Sequence, residues 1–155
     1  MKSIIVYSSQ TGNTRKLAET IKDVLADSSQ IYHIEDAPDP SEFDEIYLGF
    51  WLMAGKPDPK AQAYLQKVKT QKLFLFATHG AASQSAHAKN AIEAAKKLAP
   101  EADIIGTFNC PGEVNPSVLE KVRSKPEPPV WLDDAPDAEG HPDEADLNAL
   151  RKMLQ

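Results

Sequence analysis

Six consecutive residues, Ser9-Gln10-Thr11-Gly12-Asn13-Thr14, set five polar side chains around one glycine. Their hydroxyls and amides carry no charge but each can donate a hydrogen bond, and Gly12 permits a tight turn and close backbone approach. They follow an apolar run, Ser3 to Tyr7, and precede a segment with helical spacing, so the free N–H groups of a helix start would join the same cluster. That set suits a terminal phosphate monoester held by neutral donors. Ser or Thr here would also serve as a helix cap, but a cap needs one oxygen and the loop offers far more. No Gly-rich stretch ends in Lys-Ser/Thr and no GxGxxG occurs, so neither a nucleoside triphosphate loop nor a dinucleotide loop is present.

Two further stretches have the same position, just past an apolar run. Gly49-Phe50-Trp51-Leu52-Met53-Ala54-Gly55-Lys56-Pro57 offers apolar surface. On its own it reads either as core filler or as a wall for a flat ring; beside a phosphate loop the wall is the better reading. Thr78-His79-Gly80-Ala81-Ala82-Ser83-Gln84-Ser85 is built of small residues that let backbone amides approach a ligand. His79 is either a donor to that ligand or an exposed loop histidine. Cys110, in Asn109-Cys110-Pro111-Gly112 just past the last apolar run, is the single cysteine; it excludes an internal disulfide and reads as a small buried hydrophobe rather than a redox group. The three loops contain no Ser-His-Asp order, no paired carboxylates in a cleft and no metal-ligand spacing, so no catalytic or metal-binding residue is assigned.

The elements that must position these loops follow from periodicity. Apolar runs of strand length lie at Ser3 to Tyr7, Ile31 to Ile34, Glu45 to Phe50, Leu73 to Thr78 and Asp103 to Phe108, most too continuous to have a wet face. Helical spacing joins Leu17, Ile21, Val24 and Leu25, then Ala61, Tyr64, Leu65 and Val68, then Ala88, Ala91, Ile92, Ala95 and Leu98, and finally Leu147, Leu150 and Leu154. This alternation predicts an α/β fold: a doubly wound three-layer α/β/α sandwich around a five-stranded parallel sheet. Between the second and third strands, Asp36 to Glu42 is a loop or a single turn. The stretch 124–142 is Pro-rich and acidic and cannot be a regular helix; we read it as a strap before a last helix opened by His141-Pro142-Asp143-Glu144.

The chain has 155 residues, 41% hydrophobic and 26% charged, and is expected to form one domain over residues 1–155. Its net charge of −6 argues against nucleic acid as a partner, and no run is long enough to span a bilayer. The lone cysteine and the short apolar N-terminus suit the cytoplasm.

The loop Ser9-Gln10-Thr11-Gly12-Asn13-Thr14 resembles the phosphate loop of the flavodoxin family, Thr/Ser-x-Thr-Gly-x-Thr, and the order of elements is similar from Ile4 to Leu98 and more loosely to Leu154. The resemblance implies the strand order 2-1-3-4-5 and FMN as the cofactor. It implies cofactor contacts from Ser9, Gln10, Thr11, Gly12, Asn13 and Thr14; from Phe50, Trp51, Leu52, Met53, Ala54 and Gly55; and from Thr78, His79, Gly80, Ala81, Ala82 and Ser85. Trp51 would stack on the isoalloxazine ring, and the third loop would meet its pyrimidine edge. Typical flavodoxins carry a Tyr in that loop; here no aromatic lies between Phe76 and Phe108, which leaves the ring's other face to Trp131, to a partner or to solvent. The expected function is a monomeric, low-potential electron carrier serving redox partner proteins. The acidic strap from Glu127 would steer a basic partner face. The alternative is an FMN-dependent reductase acting directly on NAD(P)H or a quinone.

Overall fold

Five apolar runs with helices between them give, in the computed structural model, a sheet with helices on both faces. The structure describes residues 2–9, 12–25, 29–53, 56–79, 86–112 and 140–154, together with residues 120, 124 and 126. The strands are β1 (Ser3–Tyr7), β2 (Ser29–His33), β3 (Glu45–Met53), β4 (Lys56–Pro57), β5 (Lys72–His79) and β6 (Asp103–Pro111). The helices are α1 (Asn13–Leu25), α2 (Pro59–Leu65), α3 (Ala86–Leu98) and α4 (Glu144–Leu154). The sheet runs β2-β1-β3-β5-β6, all pairs parallel, with β4 folded back antiparallel on the end of β3. Setting β4 aside, this is the expected order. Pro40–Glu42 forms a 3-10 turn within the stretch Asp36 to Glu42 expected as a loop or single turn, while Ile34, expected to end the second strand, opens another 3-10 turn, Ile34–Asp36, and the strand is Ser29–His33.

Alternation along the central strands divides the core in two. Ile4, Val6, Ile46, Leu48, Phe50, Leu73, Leu75 and Ala77 face α2 and α3 and pack with Leu65, Ile92 and Ala95. Ile5, Tyr47, Phe74 and Phe76 face α1 and α4 and pack with Leu17, Ala18, Ile21 and Leu150. On this second face Gly49 is required by space: a Cβ there would lie 2.1 Å from the Phe76 ring. The register between β5 and β6 shifts between Leu73 and Phe74, so Ile105 is a bulged residue and stays partly exposed.

The structure departs from three expectations. The third strand continues past Phe50 to Met53, and the fifth continues past Phe108 to Pro111, so Cys110 lies inside β6 rather than beyond it. Pro142 stands ahead of α4, not in its first turn; Glu144 and Asp146 supply the expected acids there. Apart from residues 124, 126 and 140–142, the strap lies outside the described residues, as does Trp131.

Candidate functional site

Because β1, β3, β5 and β6 are parallel, their carboxyl ends share one edge of the sheet, where ligands of open α/β sheets collect. Trp51, Thr78 and Cys110 stand level across three adjacent strands. Strand alternation gives them the face that carries α1, the helix opened by the polar loop.

At the loop itself, Gly12 has φ +90°, and the space where its side chain would be is open. The Ser9 hydroxyl accepts the Gly12 N–H at 2.9 Å, closing the turn. The first turn of α1 has no acidic residue and carries Arg15 and Lys16 instead. By the helix dipole that is the wrong sign for self-capping, and it leaves the positive end of α1 to an external anion.

Thr14 points inward. It is 1% exposed, and its hydroxyl lies 2.9 Å from that of Thr78, itself buried at the end of β5. The reason is its place in the buried stripe Thr14, Leu17, Ala18, Ile21 of α1. Two hydroxyls sharing one bond use one of their two hydrogens. The pair therefore retains one O–H to donate. Asn13 lies under Gly112, where an added Cβ would come within 2.8 Å of the Asn13 side chain, and the Gly112 N–H donates to the His79 carbonyl at 2.8 Å. Gly112, the residue after β6, thus seats on both Asn13 of the polar loop and the end of β5.

The stretch after β3 is a hairpin, not an open loop: Leu52 pairs with Pro57 and Met53 with Lys56. Alternation separates its apolar residues. Phe50 is fully buried in the core beneath α2 and α3, and Leu52 packs against that same cluster. Trp51 is half-buried on the α1 face. Of the residues proposed for a ring wall, the structure therefore brings Trp51 to the site and holds Phe50 in the core.

His79 ends β5 on the α3 side. It is buried, which corrects the exposed-loop alternative, and its Nε2 is 2.9 Å from Asn109 Oδ1. With the amide oxygen accepting, Nε2 carries a hydrogen and donates it. Cys110 is buried as expected; burial first, then the carboxylates of Asp146 and Asp143, pushes its thiol well above the ordinary range. Those two acids cap α4 reciprocally: the Asp143 N–H donates to Asp146 Oδ2 at 2.9 Å, and the Asp146 N–H donates to Asp143 Oδ1 at 3.0 Å. His141 Nδ1 bonds to the same Asp146 oxygen, which raises its pKa.

One buried group escaped the sequence reading. Asp58, 1% exposed, accepts the Ser8 hydroxyl at 2.6 Å on Oδ2 and caps α2 through the Ala61 N–H at 3.3 Å. Asp-Pro ahead of an amphipathic run signals such a cap, but no local pattern signals a partner at Ser8. Gln10, Thr11, Ala54, Gly55, Gly80, Ala81, Ala82 and Ser85 lie outside the described residues, and of Met53 only the backbone is described.

The flavodoxin domain model matches residues 4–155. The chain belongs to the flavodoxin domain family. It is 32% identical to the flavodoxin-like domain-containing protein BilS of Clostridium symbiosum, over 99% of this chain and 94% of that one. It is 29% identical to BilS of Clostridioides difficile, over 95% of this chain and 90% of that one. Among solved structures it is similar in fold to a flavodoxin of Streptococcus pneumoniae, with a TM-score of 0.65 at 12% identity over 99% of this chain and 94% of that one. A flavoprotein of Lactobacillus acidophilus, solved in complex with FMN, matches with a TM-score of 0.57 at 18% identity over 70% of this chain and 92% of that one. No helix among the described residues is long and apolar enough to cross a membrane.

Proposed function

We propose that this flavodoxin-domain protein binds FMN at the carboxyl edge of its sheet and carries electrons between redox partner proteins. One observation carries the reading: the N-terminus of α1, free of acids, sits one strand from Trp51 on the same face. The residues fit the mononucleotide. Gly12 leaves open space at a positive φ, the first turn of α1 welcomes an anion, and the Thr14–Thr78 pair keeps a neutral donor beside it. FMN, when bound, supplies one- or two-electron chemistry. This chain's part is to hold the tail without a buried cation and to cover the ring with Trp51. Neutral tail donors leave the phosphate charge uncompensated by the loop, and that negative field favours a low reduction potential. The relatives are flavodoxin-like, and one structural neighbour holds FMN, which supports the same reading.

The test is a titration of purified protein with FMN followed by anaerobic reduction. The expected result is a one-to-one yellow complex that dithionite or an added flavodoxin reductase reduces while NADH and NADPH alone do not. Steady NAD(P)H oxidation by the protein alone overturns the carrier role in favour of a reductase. Absence of a complex overturns the FMN assignment itself.

A further inference from the structure

Resting on the FMN reading, we propose that Asp58 is a positioning residue that, through Ser8, makes the phosphate end and the ring end of the site bind cooperatively. An N-cap needs one accepted N–H, and Asp58 does more than cap. Its Oδ2 takes the Ser8 hydroxyl at 2.6 Å as well as the Ala61 N–H, while its Oδ1 lies 3.4 Å from the Trp51 N–H. Its own N–H donates to the Trp51 carbonyl at 3.0 Å, so the Trp51 main chain is held at both its N–H and its carbonyl by one residue. Ser8 is the residue immediately before the polar loop; its N–H donates to the Gly49 carbonyl at 2.9 Å, two residues ahead of Trp51.

The carboxyl group is therefore a side-chain contact between the root of the anion loop and the root of the ring wall. Both side chains are buried, Ser8 at 3% and Asp58 at 1% exposed. A buried carboxyl is retained only where its partners are placed to satisfy it, so a shift of Ser8 on filling the loop changes what Asp58 can hold at Trp51. Coupling of this kind is reciprocal: ordering either loop favours the other.

Riboflavin, which has the ring and no phosphate, separates the two ends. In the wild-type protein inorganic phosphate is expected to tighten riboflavin on the order of fivefold, read from quenching of riboflavin fluorescence. Ser8→Ala removes the link but leaves the α2 cap, and phosphate should then leave riboflavin affinity unchanged. Ser8→Thr keeps the hydroxyl and should restore the effect. Asp58→Ser, followed in parallel, guards against a misfolded Ser8→Ala: its shorter side chain keeps an oxygen for the α2 cap but withdraws the carboxyl group from Ser8 and Trp51, and it should also abolish the effect. A phosphate effect of wild-type size in Ser8→Ala and Asp58→Ser, or none in the wild type, overturns the coupling even where FMN binds. Failure of the wild type to bind FMN overturns the functional reading, and the coupling falls with it.

Discussion

The bond between Thr14 and Thr78 allows stability and cofactor affinity to be pulled apart. Both hydroxyls are buried, at 1% and 3% exposure, so Thr14→Val or Thr78→Val leaves the other oxygen in the interior without its partner. Each single variant should lose about 1–3 kcal/mol of folding stability, the cost of an orphaned buried polar group. The double variant replaces both hydroxyls by methyls of nearly the same shape and should lie close to the wild type, within about 1 kcal/mol. The cycle then shows a favourable coupling of at least about 1 kcal/mol in urea denaturation, since the double variant loses less than the two single variants together. FMN affinity should behave differently. In the proposed site the hydrogen that the pair does not use internally is the donor offered to the phosphate, and the double variant has none. Its Kd should rise by about tenfold or more, as a lost hydrogen bond to a charged group of 1.5–3 kcal/mol requires, with no recovery over the single variants. A double variant that binds FMN like the wild type would show that the phosphate never meets this pair. One no more stable than the sum of its parts would show that the hydroxyls are not bonded in solution.

Gly49→Ala should cost about 3 kcal/mol in denaturation, since its Cβ would meet the Phe76 ring at 2.1 to 2.7 Å, and adding Phe76→Leu should recover part of it. His141 is held protonated by Asp146 beyond its ordinary 6.5, so its contribution is full below that pH and fades as pH rises through the higher folded value; wild-type stability should fall relative to His141→Gln over that window in thermal melts. Cys110 should resist a thiol reagent in the folded protein and react at the rate of unfolding, because burial and the nearby carboxylates disfavour the thiolate; prompt labelling of native protein would contradict its placement.

The alternation of strands and helices was legible in the sequence because its signals are local, apolar runs of strand length with helical spacing between them; the strand order came instead from the family resemblance carried by the polar residues around Gly12. What followed the third strand was not legible. Gly49 to Pro57 reads as one apolar loop, yet β3 continues through Trp51 and turns back as a hairpin, so alternation sends Phe50 and Trp51 to opposite faces. A continuous apolar run hides that division, since buried strands are apolar on both sides. The Ser8–Asp58 bond joins residues fifty apart in sequence, a separation no periodicity reports. His79 read as a loop residue because small residues follow it; β5 runs one residue further than expected, and Asn109 of the next strand satisfies it.

Thr14 carries the broadest consequence. It stands at the head of a stripe spaced by three and four, Thr14, Leu17, Ala18 and Ile21, whose other members form the core beneath α1. The same packing that seats α1 on Ile5 and Phe76 therefore aims a hydroxyl at the sheet. A hydroxyl so placed needs a partner, and the parallel register supplies Thr78 level with Trp51. A one-residue slip of β5 would turn Thr78 to the α3 side and replace it by Ala77 or His79, stranding Thr14 and breaking up the row of Trp51, Thr78 and Cys110. Core packing and the proposed cofactor site thus depend on one register: the apolar residues fix it, and the polar residues at the strand ends are useful only while it holds.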